Sequence, residues 1–171
     1  NPEIDSLTQE SDPGEVYHPW GFGGGLDMSS EVDQPIIWFP ILGNDRIVHT
    51  KKTFDRISED KQRLYEISPT LPFPSRNIRS SDSLLVSYHD VLFDSFGVEP
   101  QNITYIPEQN PFEAYLQLSR MFHNYGKSLK ILSGECKAVI SPFSSKVLSI
   151  GALMVAYEFS DHIGILNVDS E

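Results

Sequence analysis

Short apolar runs alternate with longer amphipathic segments from Pro35 to the end of the chain. Each run is rich in β-branched or aromatic residues and ends in turn-forming residues, and apolar positions with helical spacing follow it. Strands that alternate with helices in this way form parallel sheets with crossover helices. The predicted strands are residues 36–39 (reaching 42), 64–67, 103–106, 137–140 and 163–168.

Four helices are predicted between these strands. The clearest has Asp82 as its N-cap and an apolar stripe that ends before Gly97. Another has Asn110 as N-cap and Pro111 at its first position, and we expect it to stop at Gly126. The remaining two are a polar stretch that ends at residue 57 and an apolar segment over residues 146–159.

Five strands and four helices predict an α/β fold with a mostly parallel, doubly wound, Rossmann-like three-layer sheet. The strand order is not readable from the sequence. The segment 137–159, a strand, a Ser-rich turn and a helix, resembles phosphosugar- and nucleotide-binding α/β domains in outline. The fold alone does not determine which reaction, if any, the domain performs.

The first 33 residues show neither helical nor alternating periodicity, and they mix turn formers with the aromatic residues Tyr17, Trp20 and Phe22. We therefore predict an irregular acidic arm or linker over residues 1–33 and a single α/β domain over residues 34–171. The Gly-rich run at 21–25 follows no strand and precedes no Lys-Ser/Thr pair, so it does not match a phosphate loop. The aromatic residues are candidate anchors for docking the arm on a neighbouring surface.

The chain has 171 residues, which fits one domain with a substantial core. Of its 24 acidic residues, eight lie in the first 33 positions, where there is no Lys or Arg. The net charge of −11 is therefore concentrated in the arm, and no large basic face is expected. Nucleic acid is an unlikely principal partner, because non-specific affinity for it comes from neutralising phosphates.

Cysteine and histidine usage excludes several kinds of site. Cys136 is the single cysteine, so no intrachain disulfide forms, and we expect a core residue rather than a reactive thiol. The five histidines have no metal-ligand spacing, so no metal site is predicted, and no cofactor is indicated. The longest apolar run, residues 147–157, is too short to span a bilayer. We expect a soluble cytoplasmic protein without membrane contact, whose oligomeric state the sequence leaves open.

The ends of the chain carry one further expectation. It begins at Asn1 rather than at Met, and it stops directly after an apolar strand. This is consistent with a fragment or processed piece of a longer protein.

The strand-to-helix turns of a parallel sheet emerge at one edge, and ligands bind there where the strand order reverses. The Ser144-Ser145-Lys146 turn is the leading candidate, because backbone N–H groups at a helix start, hydroxyls and an ammonium together suit an anion. In the alternative, a serine is an ordinary N-cap and the lysine is solvated.

Two arginines of the Pro-rich loop, Arg76 and Arg79, are candidate clamps or lid residues over that anion, although solvated loop arginines are common. Glu108 and Asp45 are candidate acid–base groups, and their alternative role is to support a helix start. The predicted ligand-binding set is Ser144, Ser145, Lys146, Arg76, Arg79 and Asn110, and the predicted catalytic pair is Glu108 and Asp45.

Two functions fit these patterns. The preferred hypothesis is binding, with or without turnover, of a small anionic ligand such as a phosphorylated sugar or nucleotide at the carboxyl edge of the sheet. The alternative is a non-catalytic protein-interaction module that uses the acidic aromatic arm and the Pro-rich loop 69–81. A cleft that holds Lys146, an arginine and a carboxylate favours the ligand, whereas a flat apolar patch favours the protein partner.

Overall fold

The computed structural model describes residues 13–26, 35–59, 64–133 and 136–170. The strands are β1 (Pro13–Tyr17), β2 (Ile36–Ile41), β3 (Leu64–Ile67), β4 (Thr70–Pro72), β5 (Thr104–Ile106), β6 (Lys137–Pro142), β7 (Ile163–Ile165) and β8 (Asn167–Ser170). The α-helices are α1 (Ile47–Ser58), α2 (Ser80–His89), α3 (Pro111–Ser133) and α4 (Lys146–Glu158).

The central sheet has the order β5-β4-β2-β6-β7, with β3 also paired to β2, and all of these pairs are parallel. This confirms the predicted α/β fold with a mostly parallel sheet. Since β3 and β4 follow one another beside β2, they act as one interrupted strand. Counted in this way, the spatial order is third, second, first, fourth and fifth, so the order reverses between β2 and β6.

Helices cover both faces of this sheet. Neighbouring strand residues point to opposite faces, and Trp38 and Phe39, both buried, therefore begin two separate apolar clusters. Phe39 packs in a cluster with Ala152 of α4 and with residues of α3. Trp38 packs in the other with Ile57 of α1 and Leu84 of α2. Burying a large apolar side chain stabilises the fold by about 1.5–3 kcal/mol, so the two clusters hold the layers together.

Pro40 lies inside the central strand and accounts for the interruption between β3 and β4. Proline has no N–H to donate to a sheet ladder. On either side of the gap, Ser68 N donates to Trp38 O and Leu42 N donates to Thr70 O, both at 2.9 Å. The carbonyl of Ser68 accepts instead from Thr70 Oγ1 at 3.4 Å. The strand β4 thus forms within the predicted Pro-rich loop 69–81, and the loop prediction is wrong for those three residues.

Two helix boundaries differ from the prediction. The helix α2 begins at Ser80, with Arg79 at the N-cap position, so the prediction that Asp82 caps it is wrong. Asp82 lies instead in the first turn, where a negative charge is favourable. The helix continues as a π-helical segment over Asp90–Ser95. The predicted stop at Gly126 is also wrong, because α3 continues past it to Ser133. A glycine inside a helix costs about 1 kcal/mol relative to alanine, which does not end this helix.

The prediction of an irregular arm is wrong for Pro13–Tyr17, which form β1 and pair antiparallel with β8. The last predicted strand is consequently divided, because Ile163–Ile165 stay in the central sheet and Asn167–Ser170 leave it to meet β1. Lys52 of α1 holds β1 from the other side, since its ammonium donates to the carbonyl of Pro13 at 3.0 Å. The remaining predicted arm residues, 1–12 and 27–33, lie outside the described part of the chain.

The next part of the arm covers the outer edge of β7. Ile165 N donates to Phe22 O at 2.9 Å, and His18 Nδ1 donates to Ile165 O at 2.6 Å. Phe22 also packs against the core, whereas Trp20 is 99% exposed. An uncovered edge strand is a template for pairing with another chain, so this arm segment protects the sheet from edge-to-edge association.

Gly24 allows the arm to approach β7 this closely. Its φ is +64°, and a Cβ at this position would lie 2.2 Å from the backbone nitrogen of Gly164. The contact is between two backbones, so no side-chain movement relieves it. The Gly-rich run that does not match a phosphate loop therefore has a structural role here.

We expect Gly24→Ala to release the arm from β7, because both the added Cβ and the left-handed backbone oppose the native contact. The amide of Ile165 should then exchange with solvent at least about tenfold faster, as measured by hydrogen–deuterium exchange. Gly21→Ala is the matched control, since Gly21 also has a positive φ (+85°) but has nothing within 4 Å of its added Cβ. Equal exchange in the two variants would show that backbone strain, not the contact, matters.

Candidate functional site

The turns that follow β2 and β6 touch at the carboxyl edge of the sheet. A Cβ on Gly43 would lie 1.9 Å from the carbonyl oxygen of Phe143, so only glycine fits there. The carbonyl of Gly43 accepts a hydrogen bond of 2.9 Å from the hydroxyl of Tyr88, which is fully buried. These contacts hold the two turns together at the carboxyl edge, where the strand order reverses.

A cavity of about 200 Å³ opens at this reversal, and we call it the switch cavity. Its polar lining comes from α1, from the turn after β6 and from β8. Arg46 donates to His49 Nε2 at 3.0 Å. Because a guanidinium only donates, His49 Nε2 is the acceptor, and a neutral His49 ring has its proton on Nδ1. Its polar lining residues are Arg46, His49, Ser144 and Asn167, and no carboxylate of the described residues lines it.

A second cavity of about 260 Å³, which we call the loop cavity, lies beside the first. Arg76 comes from the loop after β4, Glu108 and Gln109 come from the turn after β5, and Ser145 and Val147 belong to the start of α4. Glu108 Oε2 accepts a 3.0 Å hydrogen bond from the backbone nitrogen of Arg76, which ties the two loops together. This cavity therefore contains side chains of both charges.

The two cavities are lined by consecutive residues of one turn. Ser144 lines the switch cavity and Ser145 lines the loop cavity, and consecutive Cα atoms are about 3.8 Å apart. The two cavities therefore share the turn that follows β6.

Half of the predicted site residues lie at these cavities. Ser144 lines the first, and Ser145, Arg76 and Glu108 line the second. Ser145 also has the alternative role considered for it, since its Oγ accepts from Leu148 N at 3.3 Å as the N-cap of α4. The capping role that the alternative gives to a serine of this turn is thus confirmed for Ser145, and anion binding by the turn stays a prediction.

The other predicted residues do not line either cavity. Asn110 Oδ1 accepts from the backbone nitrogens of Phe112 and Glu113 at 3.0 and 3.3 Å, so Asn110 is an N-cap of α3. Asp45 is exposed at a turn with φ +56°. Lys146 and Arg79 are likewise exposed to solvent.

His49 and Asn167 were not among the predicted binding residues. His49 is 1% exposed yet reaches the switch cavity from α1, three residues after Arg46. Positions i and i+3 share a helix face, so an arginine at the helix start followed by histidine at this spacing is the signal that could have identified the pair. The sequence does place Asn167 at the end of the last strand and so near this edge, but it does not predict that β8 leaves the central sheet.

Two titratable groups away from both cavities have displaced pKa values. Burial raises the pKa of the Cys136 thiol to about 11. A hydrogen bond to Glu158 raises the pKa of Tyr115, which joins the exposed surfaces of α3 and α4. Within the described ranges, no group of three or more His, Cys, Asp or Glu side chains could hold a metal ion. No helix in that same part of the chain is long and apolar enough to cross a membrane.

The fold and its edge define an α/β protein with a parallel central sheet and two cavities at the turn that follows β6. No protein family model matches the chain, and no curated protein does. The structure of a CDPS from Staphylococcus haemolyticus is similar, with a TM-score of 0.46 and 5% identity over 92% of this chain and 99% of that chain. At that TM-score the similarity supports no conclusion about this protein.

We expect Gly43→Ala to lower the free energy of unfolding by about 2–3 kcal/mol, because its Cβ overlaps the backbone of Phe143. Gly126→Ala is the matched control in α3, where an added Cβ meets nothing within 4 Å. That control should raise stability by about 0.5–1 kcal/mol, because alanine favours a helix. Urea unfolding of both variants measures these changes, and an unchanged Gly43→Ala midpoint would contradict the proposed contact between the turns.

We expect Cys136 to react with a disulfide reagent at pH 8 at least about a hundredfold more slowly in the folded protein than in urea. The thiolate is the reactive form, and raising the pKa from 9.0 to about 11 lowers its population at pH 8 about a hundredfold. Reactivity should increase as the pH rises toward 11. Equal rates in the folded and unfolded protein would contradict the burial of this thiol.

Proposed function

We propose that the protein binds a small anionic ligand in the switch cavity, at the carboxyl edge of a Rossmann-like sheet. One observation carries this proposal: Arg46, Ser144 and Asn167, whose side chains all carry hydrogen-bond donors, line one cavity that no acidic residue of the described ranges lines. Hydrogen-bond donors without a competing anion are what a phosphate or carboxylate needs. The ligand classes that this proposal covers are phosphorylated sugars and nucleotides.

Arginine supports this proposal better than the predicted lysine does. A guanidinium presents several N–H donors in a planar fork that matches the oxygens of a phosphate. Arg46 uses one of its nitrogens for His49, which also fixes the orientation of the group. Arg46 additionally precedes α1, whose N-terminal dipole favours negative charge.

The position of the cavity adds an independent argument. Ligands of open parallel sheets bind outside the carboxyl ends of the strands where the order reverses. The switch cavity opens between the turns that follow β2 and β6, which are the strands on either side of that reversal. Because the whole chain has a net charge of −11, the affinity for an anion has to come from this local arrangement.

Titration with inorganic phosphate at constant ionic strength tests the proposal, with the 31P signal or isothermal calorimetry as the readout. We expect Arg46→Gln to weaken phosphate binding at least about tenfold, which corresponds to about 1.4 kcal/mol. Glutamine retains an N–H donor for His49 while it removes the positive charge. Ser144→Ala should weaken binding about two- to fivefold, because it removes one neutral hydrogen bond.

Arg79→Ala is the matched control, because it removes the same charge from an exposed position that lines neither cavity. We expect this variant to bind phosphate as the wild type does. If Arg79→Ala and Arg46→Gln reduce binding equally, only the overall charge matters and the switch cavity is not the site. Absence of phosphate binding by the wild type at millimolar concentrations would contradict the proposal directly.

A protein-interaction module is the second candidate, and the exposure of Trp20 (99%), Phe73 (49%) and Ile78 (83%) favours it. The arm that carries Trp20 lies at β7, however, and the loop that carries Phe73 and Ile78 follows β4. Three strand spacings of about 4.8 Å separate β4 from β7, so the two elements lie about 14 Å or more apart. The exposed apolar side chains are therefore divided between two elements and are not gathered on one, which places this function second.

A further inference from the structure

We propose that the loop cavity binds the hydroxyl groups of the same ligand whose anionic group occupies the switch cavity, so that the ligand is a sugar phosphate. This inference rests on the proposed function and narrows its ligand class. It depends on three features of the loop cavity: its balance of charge, its hydrogen-bonding groups and its lack of an aromatic surface.

The charges of the loop cavity do not favour a second anion. Arg76 and Glu108 both line it, and the positive charge of one offsets the negative charge of the other. The switch cavity, in contrast, has the guanidinium of Arg46 and no carboxylate from the described residues. A ligand that spans both is therefore expected to put its anion in the switch cavity and a neutral polar group in the loop cavity.

The hydrogen-bonding groups of the loop cavity match hydroxyls. Glu108 has a fixed orientation, because its Oε2 accepts from Arg76 N at 3.0 Å. Its Oε1 makes no hydrogen bond within the described part of the chain, so this oxygen is available to accept from a ligand hydroxyl. Gln109 and Ser145 each offer both a donor and an acceptor. Sugar hydroxyls also donate and accept, so they pair with each of these groups.

The described residues of the loop cavity give a nucleobase no aromatic side chain to stack on. Among the described residues that line this cavity, Val147 is the one with an apolar side chain, and none is aromatic. Proteins that bind bases commonly stack them on aromatic side chains, and each stacked base contributes about 1–3 kcal/mol. Without such a surface, a sugar phosphate fits this pair of cavities better than a nucleotide does.

Isothermal calorimetry at constant ionic strength compares inorganic phosphate with ribose 5-phosphate, glucose 6-phosphate, glycerol 3-phosphate and adenosine monophosphate. We expect at least one of the two sugar phosphates to bind the wild type ten times more tightly than phosphate, a gain of about 1.4 kcal/mol. In Glu108→Gln this gain should fall to about twofold or less, because a charge-assisted hydrogen bond from a ligand hydroxyl to the carboxylate becomes a weaker one to a neutral amide. Glutamine keeps a carbonyl oxygen for the backbone nitrogen of Arg76, so the loop should remain in place.

Glu113→Gln is the matched control, since it removes a carboxylate from an exposed position in α3 that lines neither cavity. We expect this variant to retain the full gain, and we expect Glu108→Gln to bind inorganic phosphate within twofold of the wild type. Arg46→Gln should weaken phosphate and sugar phosphate by the same factor.

The outcomes separate the two proposals. If phosphate binds and requires Arg46 but neither sugar phosphate binds more tightly, the sugar inference is wrong and the proposed function remains. Tightest binding of adenosine monophosphate, or an equal gain in the wild type and Glu108→Gln, also overturns the sugar inference. If the wild type binds none of the five compounds, both proposals are wrong.

Discussion

The pairing of β2 with β6 is the constraint on which the rest of the structure depends. Six consecutive residue pairs join them, from Ile36 with Lys137 to Ile41 with Pro142. Within this pair the buried indole N–H of Trp38 donates to Ser141 Oγ at 3.0 Å, which adds a polar contact specific to one register. A shift by one residue would move every side chain to the opposite face and would exchange the two apolar clusters. The same register also sets the contact between the turns that form the carboxyl edge.

The strands and helices of the domain could be predicted because their signals are local. Period, caps and turn residues identified all four helices and the strands β2, β3, β5, β6 and β7. The elements that were missed depend on distant partners instead. The strand β1 exists because β8 pairs with it, and β4 resumes the ladder only after Pro40 in another strand has interrupted it. No window of sequence around either segment contains that information.

The sequence was sufficient to predict at which edge of the sheet the candidate site lies, but not which residues line a cavity there. Parallel strands place all their turns at one edge, which led to Ser144, Ser145, Arg76 and Glu108. Strand order then decides which turns are neighbours, and it was not readable from the sequence. The turn after β6 adjoins the turn after β2, so the cation that shares a cavity with Ser144 is Arg46, which directly precedes α1, rather than the nearby Lys146.

The two tryptophans occupy opposite extremes of exposure, with Trp38 at 0% in the centre of the sheet and Trp20 at 99% on the arm. Indole emission shifts to longer wavelengths in water, so the fluorescence of the folded protein is the sum of a short-wavelength and a long-wavelength component. Unfolding changes the environment of Trp38 and leaves that of Trp20 almost the same. A soluble quencher reaches the exposed Trp20 and not the buried Trp38. The two components of the spectrum therefore report separately on the surface of the arm and on the interior of the sheet.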